Sequence, residues 1–173
     1  MATKKTSMFT LTERITITAA GTNTVSTFDL GSYVDVGDRQ ALQVHSVDYI
    51  VQGDTTTSTI AGSLGAGEIQ CQLTDLNRGG LVFANDRALV SSMRLILDTD
   101  AFLSMNTDLY PDNYGKGADD GRFVVNDALY VTARASSLAG SSVNVTVRVN
   151  ASIVTLSQKD FMAIAIQSTA ADN

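Results

Sequence analysis

One cysteine, one histidine, one proline and no tryptophan stand in this chain of 173 residues, and each scarcity removes a class of function. Cys71 alone can form no internal disulfide and no multi-cysteine metal site. His45 alone excludes mechanisms that need a second imidazole, and the usual zinc sites with them. The five tyrosines, Tyr33, Tyr49, Tyr110, Tyr114 and Tyr130, are scattered and make no stacking platform of the kind that single-stranded nucleic acids and sugars use. No apolar run approaches the ~20 residues that cross a bilayer. "MATKKTSMFTLTE" carries two lysines but no apolar stretch of a secretory signal follows, so cytoplasmic synthesis is the expectation. Positive charge is also short: 12 Lys and Arg against 18 Asp and Glu leave a formal charge of −6. That balance argues against strong direct nucleic-acid binding, which neutralises phosphates with a basic surface.

Glutamate is scarce within the acidic set, since only Glu13 and Glu68 accompany 16 aspartates. Aspartate favours turns and caps, whereas glutamate favours helix interiors. With 20 Thr and 16 Val, the composition predicts a mostly β chain with many turns.

The periodicity agrees. "SSVNVTVRVNASIV" places Val143, Val145, Val147, Val149, Ala151 and Ile153 on one side of an extended chain and polar residues on the other. "FTLTERITITA" alternates in the same way, with Glu13 interrupting its apolar side. "ALQVHSVDYIVQ" changes phase, and one extra residue near His45 and Ser46 restores a single buried face, which predicts a β-bulge. "TVSTFDL", "EIQCQLTDL", "MRLILDTDAF", "RFVVNDALYVTARAS" and "DFMAIAIQS" read as further strands. In this reading Cys71 is a core side chain, and Phe123 and Val125 share a phase with Leu129, Val131 and Ala133. "GDTTTSTIAGSLGAG" reads as a loop, and "NDRALVSS" as one or two helical turns capped by Asn85 or Asp86.

Eight or nine strands with irregular connections predict an all-β fold: a single eight-stranded jelly roll or β-sandwich with Greek-key connections and at most one or two short helices. The expected boundaries are a flexible N-terminal arm over 1–8, one β-sandwich domain over 9–168 and a C-terminal tail over 169–173.

The search for chemistry yields little. "AGSLG" at 61–65 lacks the first glycine and the strand-turn-helix setting of a nucleophile elbow. Gly65 and Gly67 stand without a phosphate-binding lysine. Asp112, Asp119 and Asp120, in the long segment that holds the single proline, are weak calcium candidates whose spacing does not match an EF-hand. The bland reading, solvated turn carboxylates, is preferred for them as for Asp98 and Asp100. No cofactor and no enzymatic activity are expected.

In layout, the Lys-bearing arm, the strand "FTLTERITITA", the run "DVGDRQALQVHSVDYIVQ", the strand "NDALYVTARAS" and the closing pair "VNVTVRVNASIV" and "DFMAIAIQS" resemble single jelly-roll capsid proteins of small icosahedral viruses. The acidic balance resembles shell proteins of tailless double-stranded DNA viruses with an internal membrane. The resemblance implies a structural subunit made in the host cytoplasm and located in the virion. Its implied partners are copies of itself, with a second capsid protein and an internal viral membrane as further candidates. Lys4, Lys5, Tyr110, Asp112, Tyr114 and Arg148 are the candidate subunit contacts. The competing reading is a ligand-binding β-sandwich, such as a carbohydrate-binding or phage-tail accessory module.

Overall fold

Alternating valines build one of the two longest strands among the described residues. The computed structural model describes residues 3–35, 37–100, 103–107, 121–140 and 142–169, with 103–107, 168 and 169 given by backbone alone. Among these, β10 (Val143–Thr155) buries Val143, Val145, Val147 and Val149 completely while Arg148 stays exposed. Both edges of β10 are paired. β4 (Gln40–Gln52) lies along one, and β2 (Phe9–Ile17), continued by the two-residue β1 (Thr3–Lys4), lies along the other. β8 (Arg122–Val124) closes this sheet beyond β4. The second sheet runs β3 (Thr24–Asp29), β9 (Ala128–Ala135), β5 (Gly67–Thr74), β6 (Leu89–Leu97) and β7 (Leu103–Thr107). Every pairing is antiparallel.

The chain changes sheet from β2 to β3, from β3 to β4, from β4 to β5, from β7 to β8, from β8 to β9 and from β9 to β10. The order β2-β10-β4-β8 over β3-β9-β5-β6 is a jelly roll, with β1 and β7 as additions to its eight strands. Its interior is filled by the facing sides of both sheets, including Ile15, Ile17, Leu42 and Val47 from one and Ile69, Cys71, Leu73 and Leu129 from the other. Burial raises the Cys71 thiol far above its ordinary pKa, so this side chain packs as a small hydrophobe.

The expected bulge falls where the phase change puts it. Asn150 pairs with Ser46 and the next residue, Ala151, pairs with Val44, so His45 is the extra residue. The shift returns Leu42, Val44 and Val47 to one buried face.

Five sequence expectations change. "DFMAIAIQS" is not a strand but part of α2 (Gln158–Thr169). Ser157 caps it: its hydroxyl accepts from the Asp160 amide at 3.2 Å and donates to the Asp160 carboxylate at 2.7 Å. Phe161, Ile164 and Ala165 then pack on Ala41, Val125, Val154 and Leu156, a second small core outside the sandwich. The presumed loop at 53–67 contains α1 (Ile60–Leu64), capped by Thr59, while residues 85–88 make a turn that leads directly into β6. Phe123 turns toward the second core and Val124 toward the main one, because β8 and β9 belong to different sheets. Thr3 and Lys4, expected in a flexible arm, pair with Thr155 and Val154.

Gly121 enters β8 at φ +118°, and a Cβ there would lie 2.6 Å from the Val44 carbonyl oxygen. Gly121→Ala should therefore cost about 1–3 kcal/mol of backbone strain and displacement, read as a lower urea midpoint. An unchanged midpoint would mean that β8 shifts freely on β4.

Candidate subunit-contact surface

The outer face of the first sheet is divided in two by side-chain chemistry. At one end α2 covers the apolar residues of the second core. At the other, β2, β10 and β4 present polar rows to solvent. Thr10 donates to Asn150 at 2.7 Å, and the Asn150 amide donates onward to Ser46 at 2.9 Å. Thr16 donates to Asn144 at 2.7 Å, and the Asn144 amide donates to the Gly53 carbonyl at 2.8 Å. Arg148 stands between these rows, with Thr12 and Asp48 as its cross-strand neighbours. Such ladders hold polar groups in fixed positions across adjacent strands.

Glu13, the charge on the apolar side of β2, is satisfied within the chain by a 2.5 Å hydrogen bond from Ser26 of the other sheet. His45 sits at the bulge with Nε2 2.9 Å from the Ser152 hydroxyl. Burial, and then the nearby Lys4 ammonium, hold its imidazole below the ordinary pKa.

A second group of features lies where the segment between β5 and β6 meets β8. Asp75 is buried, and one of its carboxylate oxygens lies 3.2 Å from the Arg122 guanidinium while the other has no hydrogen-bond partner among the described residues. Burial raises the Asp75 pKa, and the positive charge of Arg122 opposes that rise. Arg122 also donates to the Arg87 carbonyl, and Asn126 donates to the Asp75 carbonyl at 2.7 Å. These bonds fasten the root of the 76–88 segment to β8.

Further out, the buried Gln72 amide clamps the backbone of Val82 from both sides, accepting at 2.7 Å and donating at 2.9 Å. Arg78 pairs with Asp86 at 3.0 Å, and the Asp86 amide closes a turn on the Phe83 carbonyl. The result is a fixed segment that holds the Phe83 ring in water, 87% exposed. Beside its root is a hollow of about 190 Å³ lined by Asp75, Arg122, Phe123, Ile164 and Gln167.

The predicted contact residues are not gathered into one place. Arg148 lies within the open polar face, whereas Lys4 lies beside the far end of β10 at Val154. Lys5 reaches Asp38 at 3.9 Å, with both groups exposed, so the pair adds little stability. Tyr110, Asp112 and Tyr114, together with the calcium candidates Asp119 and Asp120, fall outside the described residues. Among the described residues no group of three His, Cys, Asp or Glu side chains is placed to hold a metal ion, and no helix is long and apolar enough to cross a membrane.

Phe83, Gln72, Asp75 and Arg122 were not singled out from the sequence. Only Phe83 left a local sign there, as an aromatic next to the turn-forming run "ANDR".

No family model matches the chain, and no curated protein matches it. Among solved structures it is similar to VP1 of trichodysplasia spinulosa-associated polyomavirus in complex with 3'-sialyllactose, at 10% identity and a TM-score of 0.47, covering 90% of this chain and 97% of that one. It is also similar to Merkel cell polyomavirus VP1, solved as an unassembled pentamer, at 9% identity and a TM-score of 0.38, covering 78% of this chain and 77% of that one.

Proposed function

We propose that the chain is a structural subunit that associates with copies of itself into a closed icosahedral virus shell. The observation that carries this reading is the strand order, β2-β10-β4-β8 over β3-β9-β5-β6, the double Greek key that capsid proteins use. A jelly roll also serves lectins and cupins. Here the space between the sheets is packed with aliphatic side chains, which suits a rigid building block better than a container for a ligand.

The surface supports the same reading. The open face of β2, β10 and β4 offers ordered polar rows, and Phe83, Ile166, Met8 and Met162 are apolar side chains left more than half exposed. Subunit contacts combine such polar rows with apolar anchors. Lys4, Lys5 and Arg148 are the described contact candidates, with Tyr110, Asp112 and Tyr114 as further ones. A second capsid protein and an internal membrane are the finer parts of the proposal. Direct packaging of nucleic acid is not part of it, because the charge is −6. The expected location is the virion, after synthesis in the host cytoplasm.

Light scattering across protein concentration and salt, with electron microscopy of the large fraction, tests the reading. Closed shells, tubes or capsomer-sized rings are expected. A strict monomer under every condition would overturn self-assembly and favour a ligand-binding β-sandwich.

A further inference from the structure

Among the described residues, two unpartnered features of opposite shape occur at one end of the chain's fold. One protrudes: Phe83, 87% exposed, between half-buried Leu81 and Val82 on the one side and the Phe83–Asp86 turn on the other. The Gln72 clamp and the Arg78–Asp86 pair fix its backbone in advance, so little ordering entropy remains to be lost on contact. The other is the hollow of about 190 Å³ between β8 and α2. A cavity of ~150 Å³ already accepts a benzene ring. Phe123 and Ile164 supply apolar wall, the Arg122 guanidinium supplies a cation for an aromatic face, and Gln167 stands at the exposed rim.

We infer that Phe83 of one copy inserts its ring into the β8–α2 hollow of a second copy. This deepens the shell reading by naming one of its contacts, and it rests on the self-association proposed there. The occupant is a second copy because the chain carries both the knob and a hole large enough for its ring, in which Asp75, Arg122 and Gln167 form the polar wall and Phe123 and Ile164 the apolar one. The hole opens at the root of the segment that carries the knob, since Arg122 is bonded to the Arg87 carbonyl and lines the hollow. One surface patch therefore holds both halves, and two copies related by a twofold axis exchange them reciprocally.

The test compares wild type with Phe83→Ser, which removes the knob at an exposed site, and Gln167→Trp, which blocks the mouth from the rim. Native mass spectrometry reads pairing, electron microscopy reads shells, and thermal melting checks the fold. Both variants should melt like wild type and pair about thirtyfold more weakly, the size of a hot-spot loss. Wild-type pairing by Phe83→Ser would overturn the inference. So would unimpaired pairing by Gln167→Trp alone, since the ring would then be seated elsewhere. Shells that form equally in all three proteins would sink the knob-and-hole contact and leave the shell reading standing. Pairs that depend on both residues but never build shells would do the reverse.

Discussion

Arg122→Leu is expected to lower the unfolding free energy by about 3 kcal/mol at neutral pH, at the low end for breaking a buried ion pair because the guanidinium is itself partly exposed. The loss arises at Asp75, which is 2% exposed and already has one oxygen without a partner among the described residues. Removing Arg122 would leave the second oxygen without its cation as well. The pH dependence gives the prediction its signature. Burial raises the folded-state pKa of Asp75 above its unfolded value, against the opposing pull of Arg122. The folded state therefore binds the proton more readily, and stability from this group rises as pH falls through the folded value toward the ordinary ~3.9. Without Arg122 the carboxyl is pushed further up, so the variant should begin to regain stability at a higher pH than wild type. Urea unfolding at neutral and mildly acid pH checks this. Asp75→Asn in the Arg122→Leu background should recover much of the loss at neutral pH. A loss that is the same at both pH values would mean that Asp75 is already protonated when folded.

Val147→Asp should prevent folding, while Thr146→Asp, one residue away, should leave stability within about 0.5 kcal/mol of wild type. Val147 is fully buried at the centre of β10, between Glu13 of β2 and Tyr49 of β4. A carboxylate there costs several kcal/mol in desolvation, stands beside another acid, and opens the central strand of the sheet. Against a typical total stability of ~5–15 kcal/mol, that is enough to unfold the domain. Thr146 faces the opposite way, opposite Arg14, where an aspartate gains a cross-strand partner. Far-ultraviolet circular dichroism and solubility separate the two variants. Equal tolerance would mean that β10 slips by one residue and exchanges its faces.

The features legible in the sequence are those written into near neighbours. Strand alternation placed Val143 to Ile153 on the buried face, and the phase change at His45 marked the bulge, because side-chain direction in a strand repeats every two residues whatever the strand pairs with. The helix at the end of the chain was misread for a related reason. Phe161, Ala163 and Ala165 alternate as in a strand, but Phe161, Ile164 and Ala165 also lie at helical spacing, and the Ser157-to-Asp160 capping box is the local signal that decides between them. The clamp of Gln72 on Val82 spans 10 residues and the Asp75–Arg122 pair spans 47, and no local pattern encodes either.

By itself, then, the sequence determined the fold class, the buried face of each long strand and the lack of histidines and cysteines for common catalytic and metal chemistry. These follow from composition and short-range periodicity, which the chain carries before it folds. Tertiary structure alone decided which sheet each strand joined, and that β8 and β9 part company between Val124 and Ala128. It also decided that a buried aspartate meets an arginine beside a hollow while Phe83 is held out in water. Those outcomes depend on contacts between distant segments, whose energies arise only after the sheets have packed.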